Sequence, residues 1–413
     1  MLKKGIIILT AAAVLLVFIY PKAVQSLNQR ESHSLEGIFP ESYDESRQTF
    51  LSYENVLKPK WTNVRHESFS LNEKETIDSI KADATEEKEN LIVLTGGVHG
   101  IEGYAGSAMQ SIFVSEIAGK LDEKTTGLHI VHAVNPWGMK NERRYNEHNV
   151  DLNRNFVYDW NSFDLSQNKD YEELNDFFES ETKVGHMLLH DAGFYSRLAV
   201  RAVTSGTSAI EQALLTGQYA YSKGVYYGGT KDEPSTAYMK GAFADILKSG
   251  YKKIIHIDLH TGYGPRYQMS IFSSSKETMT EKEAEKAFNY PLVFTPDSED
   301  YYVTNGDMTE YFYRLKEDLA PEKELYSTTF EFGTLGDGTA ASIQSLKRTI
   351  EENQLYFNQA GSKKSEEIIH NRYLELFYPS EEKWRKKAAA DFKDAVNGVL
   401  AYKNILREEE IEK

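Results

Sequence analysis

The 413 residues carry 40 % hydrophobic and 12 % aromatic side chains, enough for a sizeable buried core in one large domain or two smaller ones. Lys and Arg number 47 against 63 Asp and Glu, a net charge of −16, so most of the surface repels polyanions and no nucleic-acid partner is expected. The chain has no cysteine, which removes disulfides, thiol nucleophiles and thiolate metal sites and leaves His, Asp and Glu to hold any metal.

Two lysines in MLKK precede GIIILTAAAVLLVFIY (Gly5–Tyr20), which has no charge. This is the order of an export signal. Residues 1–26 are expected to act as a signal peptide or as an uncleaved N-terminal membrane anchor, because the apolar run is close to the lower limit of ~17 residues for a spanning helix. The rest of the chain is then exported, either extracellular or membrane-anchored and facing the exterior. Residues 27–60 read as a polar lead-in, 61–375 as the main domain, and 376–413 as a C-terminal helical extension with a solvated charged face.

Within the central region, short apolar runs alternate with longer helical patterns. NLIVLTGG (Asn90–Gly97), LHIVHAVNP (Leu128–Pro136), KKIIHIDLHTG (Lys252–Gly262) and YSTTFEFGT (Tyr326–Thr334) are rich in Ile, Val, Thr or Phe, and each leads into Gly or Pro. They read as buried strands. Between the first two, Ala105, Ala108, Met109, Ile112 and Ile117 fall near helical spacing. The expected fold is α/β, with a mixed, largely parallel central sheet flanked by helices and ligands bound beyond the carboxyl ends of the strands.

That placement brings His99 and Glu102, in the glycine-rich loop TGGVHGIEGYAG after the first strand, to the same sheet edge as His260 in IDLHTG and Glu331 in TFEFGT. Two imidazoles and one carboxylate form the ligand set of a catalytic zinc with a coordination position left for water. Glycines around His99 let the backbone turn so that both side chains address one ion. A further carboxylate is needed as general base for the water, and Glu331 is the choice. The second strand ends in NPWGMKNERRYNEHNVDLNRNF (Asn135–Phe156), whose three arginines suit a substrate carboxylate or a developing oxyanion.

HGIE, DLNRNF, DLHTG and FEFG, in this order over roughly Asn90–Gly333, resemble the zinc carboxypeptidase superfamily, the funnelins. NPWG and GQYAYSKGVYYGG look like its bacterial branch labelled only as a domain of unknown function. The resemblance implies a zinc-carboxypeptidase-like fold, with His99, Glu102 and His260 as zinc ligands and Glu331 as general base. It implies that Asn153 and Arg154 hold the substrate's terminal carboxylate. Arg144, preferred over Arg143, polarises the scissile carbonyl, and Asp151 orients His99. Tyr302, with Tyr301 as rival, corresponds to the mobile tyrosine. The stretch between Asn153 and His260 is longer than in digestive members, which leaves the shape of the specificity pocket open.

Two activities share this mechanism: removal of C-terminal residues from peptides, and cleavage of N-acyl amino acids, since GGVHGIEG, IDLHTG and EFG also look like the aspartoacylase and desuccinylase branch. A catalytically dead binding module is disfavoured because every expected ligand and the base are present. His186 and His190, four apart on a helical pattern, lack the adjacent Glu of a zincin. They, with His129, His132, His148 and His256, read as structural histidines. No serine-hydrolase elbow or phosphate-binding loop is present.

Overall fold

The computed structural model describes residues 37–298, 301 and 304–406; the expected signal or anchor and Tyr302 lie outside them. Among the described residues, no helix is long and apolar enough to cross a membrane. Eight strands, β1 (Val64–Ser70), β2 (Thr76–Ala82), β3 (Asn90–Gly96), β4 (Thr126–Val131), β5 (Lys253–Thr261), β6 (Met269–Ser273), β7 (Val293–Phe294) and β8 (Glu324–Phe332), form one sheet ordered β1-β2-β4-β3-β5-β8-β6-β7. The four central strands run parallel, whereas β1, β2 and β6 meet their inner neighbours antiparallel. The expected mixed, largely parallel sheet flanked by helices is therefore the observed one.

The helices are α1 (Tyr43–Leu57), α2 (Gly103–Ile112), α3 (Pro136–Lys140), α4 (Lys169–Phe178), α5 (Met187–Thr204) and α6 (Thr207–Thr216) in the first half. They continue as α7 (Pro234–Lys248), α8 (Glu281–Phe288), α9 (Met308–Leu319), α10 (Thr339–Asn358), α11 (Lys363–Phe377) and α12 (Glu382–Tyr402). Strand alternation sorts them into layers. On β5, Ile255, Ile257 and Leu259 face a core built with α1, α2 and α12. On the other sheet face, α7 and α9 cover β3 with Met239, Phe243 and Phe312.

Two boundaries expected from the sequence are corrected. The polar lead-in contains α1, whose Tyr43, Phe50, Tyr53 and Leu57 are buried in the main core, at the 3–4 residue spacing of one helix face. The C-terminal extension contains α12, whose Trp384, Phe392, Val396 and Val399 belong to the same core. Both charged surfaces are only the outer sides of packed helices. The long stretch between Asn153 and His260 builds α4–α6, which pack with Leu346 and Ile350 of α10 into a separate apolar cluster beside the sheet edge.

Candidate metal centre

His99 follows β3 in a loop that ends in a 3-10 turn (Gly100–Glu102). Gly97 has a φ of +66°, a left-handed conformation that L side chains rarely adopt. At Gly100 a Cβ would come within 2.1 Å of the Gly138 backbone, so only glycine lets the loop approach α3. There the Gly100 and Ile101 amides donate to the carbonyls of Arg144 and Arg143 at 3.1 and 2.9 Å. This backbone staple brings the arginine loop beside His99. His260 and Glu331 come from β5 and β8, where they are register partners at the carboxyl ends of parallel strands.

The three expected ligands converge: donor atoms of His99, Glu102 and His260 all lie within 4.8 Å of one another, and all three residues are buried. His99 Nδ1 is 2.8 Å from Glu102 Oε1, and His260 Nδ1 is 3.1 Å from Glu102 Oε2. These separations are close to the roughly 3.3–3.5 Å between ligands of a tetrahedral ion with bonds of about 2.0–2.2 Å. Despite its short contact, His99 Nδ1 is a buried nitrogen without a hydrogen-bond partner. The contact with Glu102 does not have the alignment of a hydrogen bond, which leaves this nitrogen available to a cation.

The opposite ring nitrogens show what aims Nδ1 of both histidines at Glu102. His99 Nε2 lies 3.0 Å from Asp151 Oδ1, and His260 Nε2 lies 2.6 Å from Asp258 Oδ2. At His260 the carboxylate holds the proton on Nε2 and turns the Nδ1 lone pair inward; His99 Nε2 faces both the Asp151 carboxylate and the Arg144 guanidinium, and the Asp151 contact orients its ring toward Glu102. Asp151 is itself held by the Asn153 amide at 3.0 Å and by Arg144 Nε at 2.9 Å. Asp258, unassigned in the sequence reading, had a signal: His256, Asp258 and His260 place three polar residues on one face of an otherwise apolar strand.

Electrostatics favour a cation at this point. Burial pulls the His260 imidazole down, but Asp258 and Glu102 outweigh it and hold the ring well above its ordinary range. Burial also pushes Glu102 upward, whereas His99 and His260 bring its carboxyl far below normal. Glu331 behaves in the opposite sense. Burial, then the Glu102 charge, push its carboxyl up to about 8, against smaller lowering by His260 and the Tyr263 amide, which donates to Oε1 at 2.9 Å. A dication bound by His99, Glu102 and His260 would oppose that rise and favour the carboxylate.

Arg144 reaches into the centre: Nη1 donates to Glu102 Oε1 at 3.2 Å, and Nη2 comes within 2.7 Å of His99 Nε2. Arg154 is buried, donates through Nη1 to the Asn153 carbonyl at 3.1 Å, and leaves Nε without a partner. Both arginines line a cavity of about 790 Å³ shared with His99, Glu102, His260 and Glu331. Leu198, Ile210, Leu214 and Ile343 give this cavity an apolar wall from α5, α6 and α10.

Three substrate-binding expectations need adjustment. Arg143 is not among the cavity-lining residues. Its Nε and Nη2 bond Glu352, Asn149 and Asn353 at 2.7, 3.1 and 3.2 Å, its Nη1 has no partner, and the guanidinium stacks on Tyr356. Asn153 lines the cavity, but its amide donates to Asp307 at 2.9 Å and its oxygen accepts from the Met308 amide at 2.9 Å, which makes it a brace for α9. Tyr302 is outside the described residues, while Tyr301 lines the cavity, stacked on Phe272 with its hydroxyl donating to the Ser273 carbonyl. The sequence reading missed Tyr226, which lines the cavity beneath both arginines, 5.4 Å from Arg144 and 6.0 Å from Arg154, on a backbone φ of +57°. A non-glycine residue held in that conformation beside a site is a local signal of constraint.

His132 and His256 are hydrogen-bonded in the core, and both are held below the ordinary imidazole range by burial. His148 pairs with Glu233 and His190 with Glu351. These four fit the structural reading. His129 is buried with Nε2 unpartnered.

Comparison with solved structures finds bovine thrombin-activatable fibrinolysis inhibitor, in complex with tick carboxypeptidase inhibitor, at 17 % identity and a TM-score of 0.40, covering 80 % of this chain and 97 % of that one. Carboxypeptidase A from Helicoverpa armigera matches at 12 % identity and a TM-score of 0.40, over 82 % and 75 % of the two chains. Succinylglutamate desuccinylase from Chromobacterium violaceum matches at 13 % identity and a TM-score of 0.33, over 74 % and 73 %. No curated protein matches. A family model described as "Protein of unknown function (DUF2817)" matches residues 39–391, nearly the whole described chain, and the protein belongs to that family.

Proposed function

We propose that the protein is a zinc-dependent carboxypeptidase that hydrolyses the C-terminal amide bond of peptides. The observation that carries the reading is the pair of imidazoles turned by Asp151 and Asp258 so that both Nδ1 atoms and the Glu102 carboxylate meet at one point, with Glu331 beside them. His99, Glu102 and His260 would hold the metal. When bound, a zinc ion supplies Lewis acidity and lowers the pKa of water to about 7.

The remaining work falls to the chain's own residues. Glu331 accepts the proton of the attacking water and returns it to the leaving amine. Arg144, on the rim of the ligand set, meets the negative charge that develops on the carbonyl oxygen. Arg154, a buried guanidinium with an unpartnered Nε, receives the substrate carboxylate. That contact fixes which amide bond reaches Glu331. The cavity, about 790 Å³, lies toward the upper end of the roughly 300–1,000 Å³ usual for small-molecule sites. That volume accommodates the end of a peptide, which we take as the substrate in preference to an N-acyl amino acid. The segment Gly5–Tyr20 would deliver the domain to the exterior.

The test compares a peptide with its C-terminally amidated form and with N-acyl amino acids. Cleavage of the free peptide, improving as residues are added upstream, supports the proposal. Equal cleavage of free and amidated peptides contradicts the carboxylate clamp, and exclusive cleavage of N-acyl amino acids replaces peptidase by amidase.

A further inference from the structure

Resting on the metal-centre reading, we propose that Thr95, His256 and Ser327 form a buried proton-ordered relay that positions His260 for its metal, by fixing the Asp258 carboxylate that holds the His260 ring. The register brings them together. Thr95 is the partner of Asp258 across β3 and β5, and Ser327 is the partner of His256 across β5 and β8. Residues 256, 258 and 260 alternate onto one face of β5, so the chain of contacts runs along the strand to the sheet edge. Thr95, His256, Asp258 and Ser327 are all fully buried.

The donors and acceptors leave a single consistent arrangement. Thr95 Oγ1 donates to Asp258 Oδ1 at 2.6 Å, and the other carboxylate oxygen faces His260 Nε2 at 2.6 Å. Having given its one proton to Asp258, Thr95 Oγ1 can only accept at its 2.9 Å contact with His256 Nε2. His256 therefore carries its proton on Nε2, and its Nδ1 accepts from Ser327 Oγ at 2.7 Å. Phe243 and Phe312 pack edge-on against the His256 ring and keep water from substituting for these partners. His256 thus points its donor at Thr95, Thr95 points its donor at Asp258, and Asp258 is left to take the His260 Nε2 proton. His260 Nδ1 stays free for the ion.

Outer partners of metal ligands typically contribute about 10–100-fold to metal affinity. Zinc affinity should accordingly fall by about that factor in Thr95→Val, which keeps the side-chain shape and loses the hydroxyl, and return to near the wild-type value in Thr95→Ser. Competition with a chromophoric chelator reads the affinity, and thermal melting of the metal-free proteins checks folding. Nitrogen NMR of the wild-type His256 ring reports the relay without any mutation, and the expected tautomer is Nε2–H. A folded Thr95→Val protein with wild-type zinc affinity, or a His256 ring protonated on Nδ1, overturns the relay while leaving the metal centre intact. A wild-type chain that takes up no zinc overturns the metal-centre reading and this inference with it, so the two failures are told apart by which protein shows them.

Discussion

Glu331 stands directly opposite His260 in the parallel register between β5 and β8, so the proposed base and a proposed metal ligand occupy equivalent ends of adjacent strands. Neither can move without moving the sheet edge. A proton acceptor fixed in this way would need no loop closure, and its separation from His260 is set by strand pairing.

Replacing Glu331 by Gln keeps size and removes the proton acceptor. The variant should retain its metal and lose roughly 10²–10⁴-fold in kcat. Zinc content and peptide kinetics on the same preparation check this. Loss of zinc in Glu331→Gln would make the residue a ligand instead.

Arg154 and Arg144 should separate kinetically. Arg154→Ala removes a charge-assisted contact made already in the ground state, worth about 1.5–3 kcal/mol, so KM for free-carboxylate peptides should rise about ten- to hundredfold with kcat less affected. Arg144→Ala should mainly lower kcat, because the charge it meets develops in the transition state. Identical profiles would deny the two residues separate roles.

The C-terminal helix should be indispensable to the fold. Trp384 is 1 % exposed, and its indole nitrogen donates to the Gly333 carbonyl at 2.8 Å, two residues beyond Glu331. Trp384→Ala should cost about 3–5 kcal/mol of unfolding free energy, measured by denaturant titration. Removal of residues 376–413 should give a chain that does not fold, as read by circular dichroism.

This helix also marks where sequence reading stopped. The four parallel strands were legible because each is a short apolar run leading into Gly or Pro, and their carboxyl ends placed His99, His260 and Glu331 without further help. β1 was not legible: VRHESFS is a largely exposed edge strand with no apolar run. α1 and α12 are hard to assign to the core from sequence because polar residues in the first and charged residues in the second dilute the apolar pattern, although Tyr43, Phe50, Tyr53 and Leu57 form a helical stripe. Arg143 and Arg144 are neighbours that turn to opposite sides, one to Glu352 and one to Glu102. Residue type does not distinguish them, and in the sequence only the family resemblance, which favours Arg144, separates the two, because Glu352 and Glu102 lie far away in the chain.

Acid sensitivity should reside partly in the buried charges that tie the cavity wall to the body. Glu351 of α10 contacts Lys347, Arg372 of α11 and His190 of α5. Burial pushes its carboxyl up, but Lys347, His190 and Arg372 together bring it down from 4.5 to about 2. A carboxyl depressed on folding stabilises the native state above its unfolded value and loses that contribution as pH falls through the folded one. The loss should therefore run from about pH 4.5 down toward about pH 2. Urea unfolding of metal-free wild type and Glu351→Gln should differ clearly at about pH 6 and converge as the pH approaches about 2. A gap that does not change with pH would contradict the assignment.

The metal centre itself is tested most directly by counting the ion. Elemental analysis of the purified protein, beside His99→Ala and His260→Ala at matched folding, should give about one zinc per wild-type chain and almost none in either variant. Equal zinc in wild type and variants, or no zinc in a folded wild type supplied with it, would contradict the assignment of His99, Glu102 and His260.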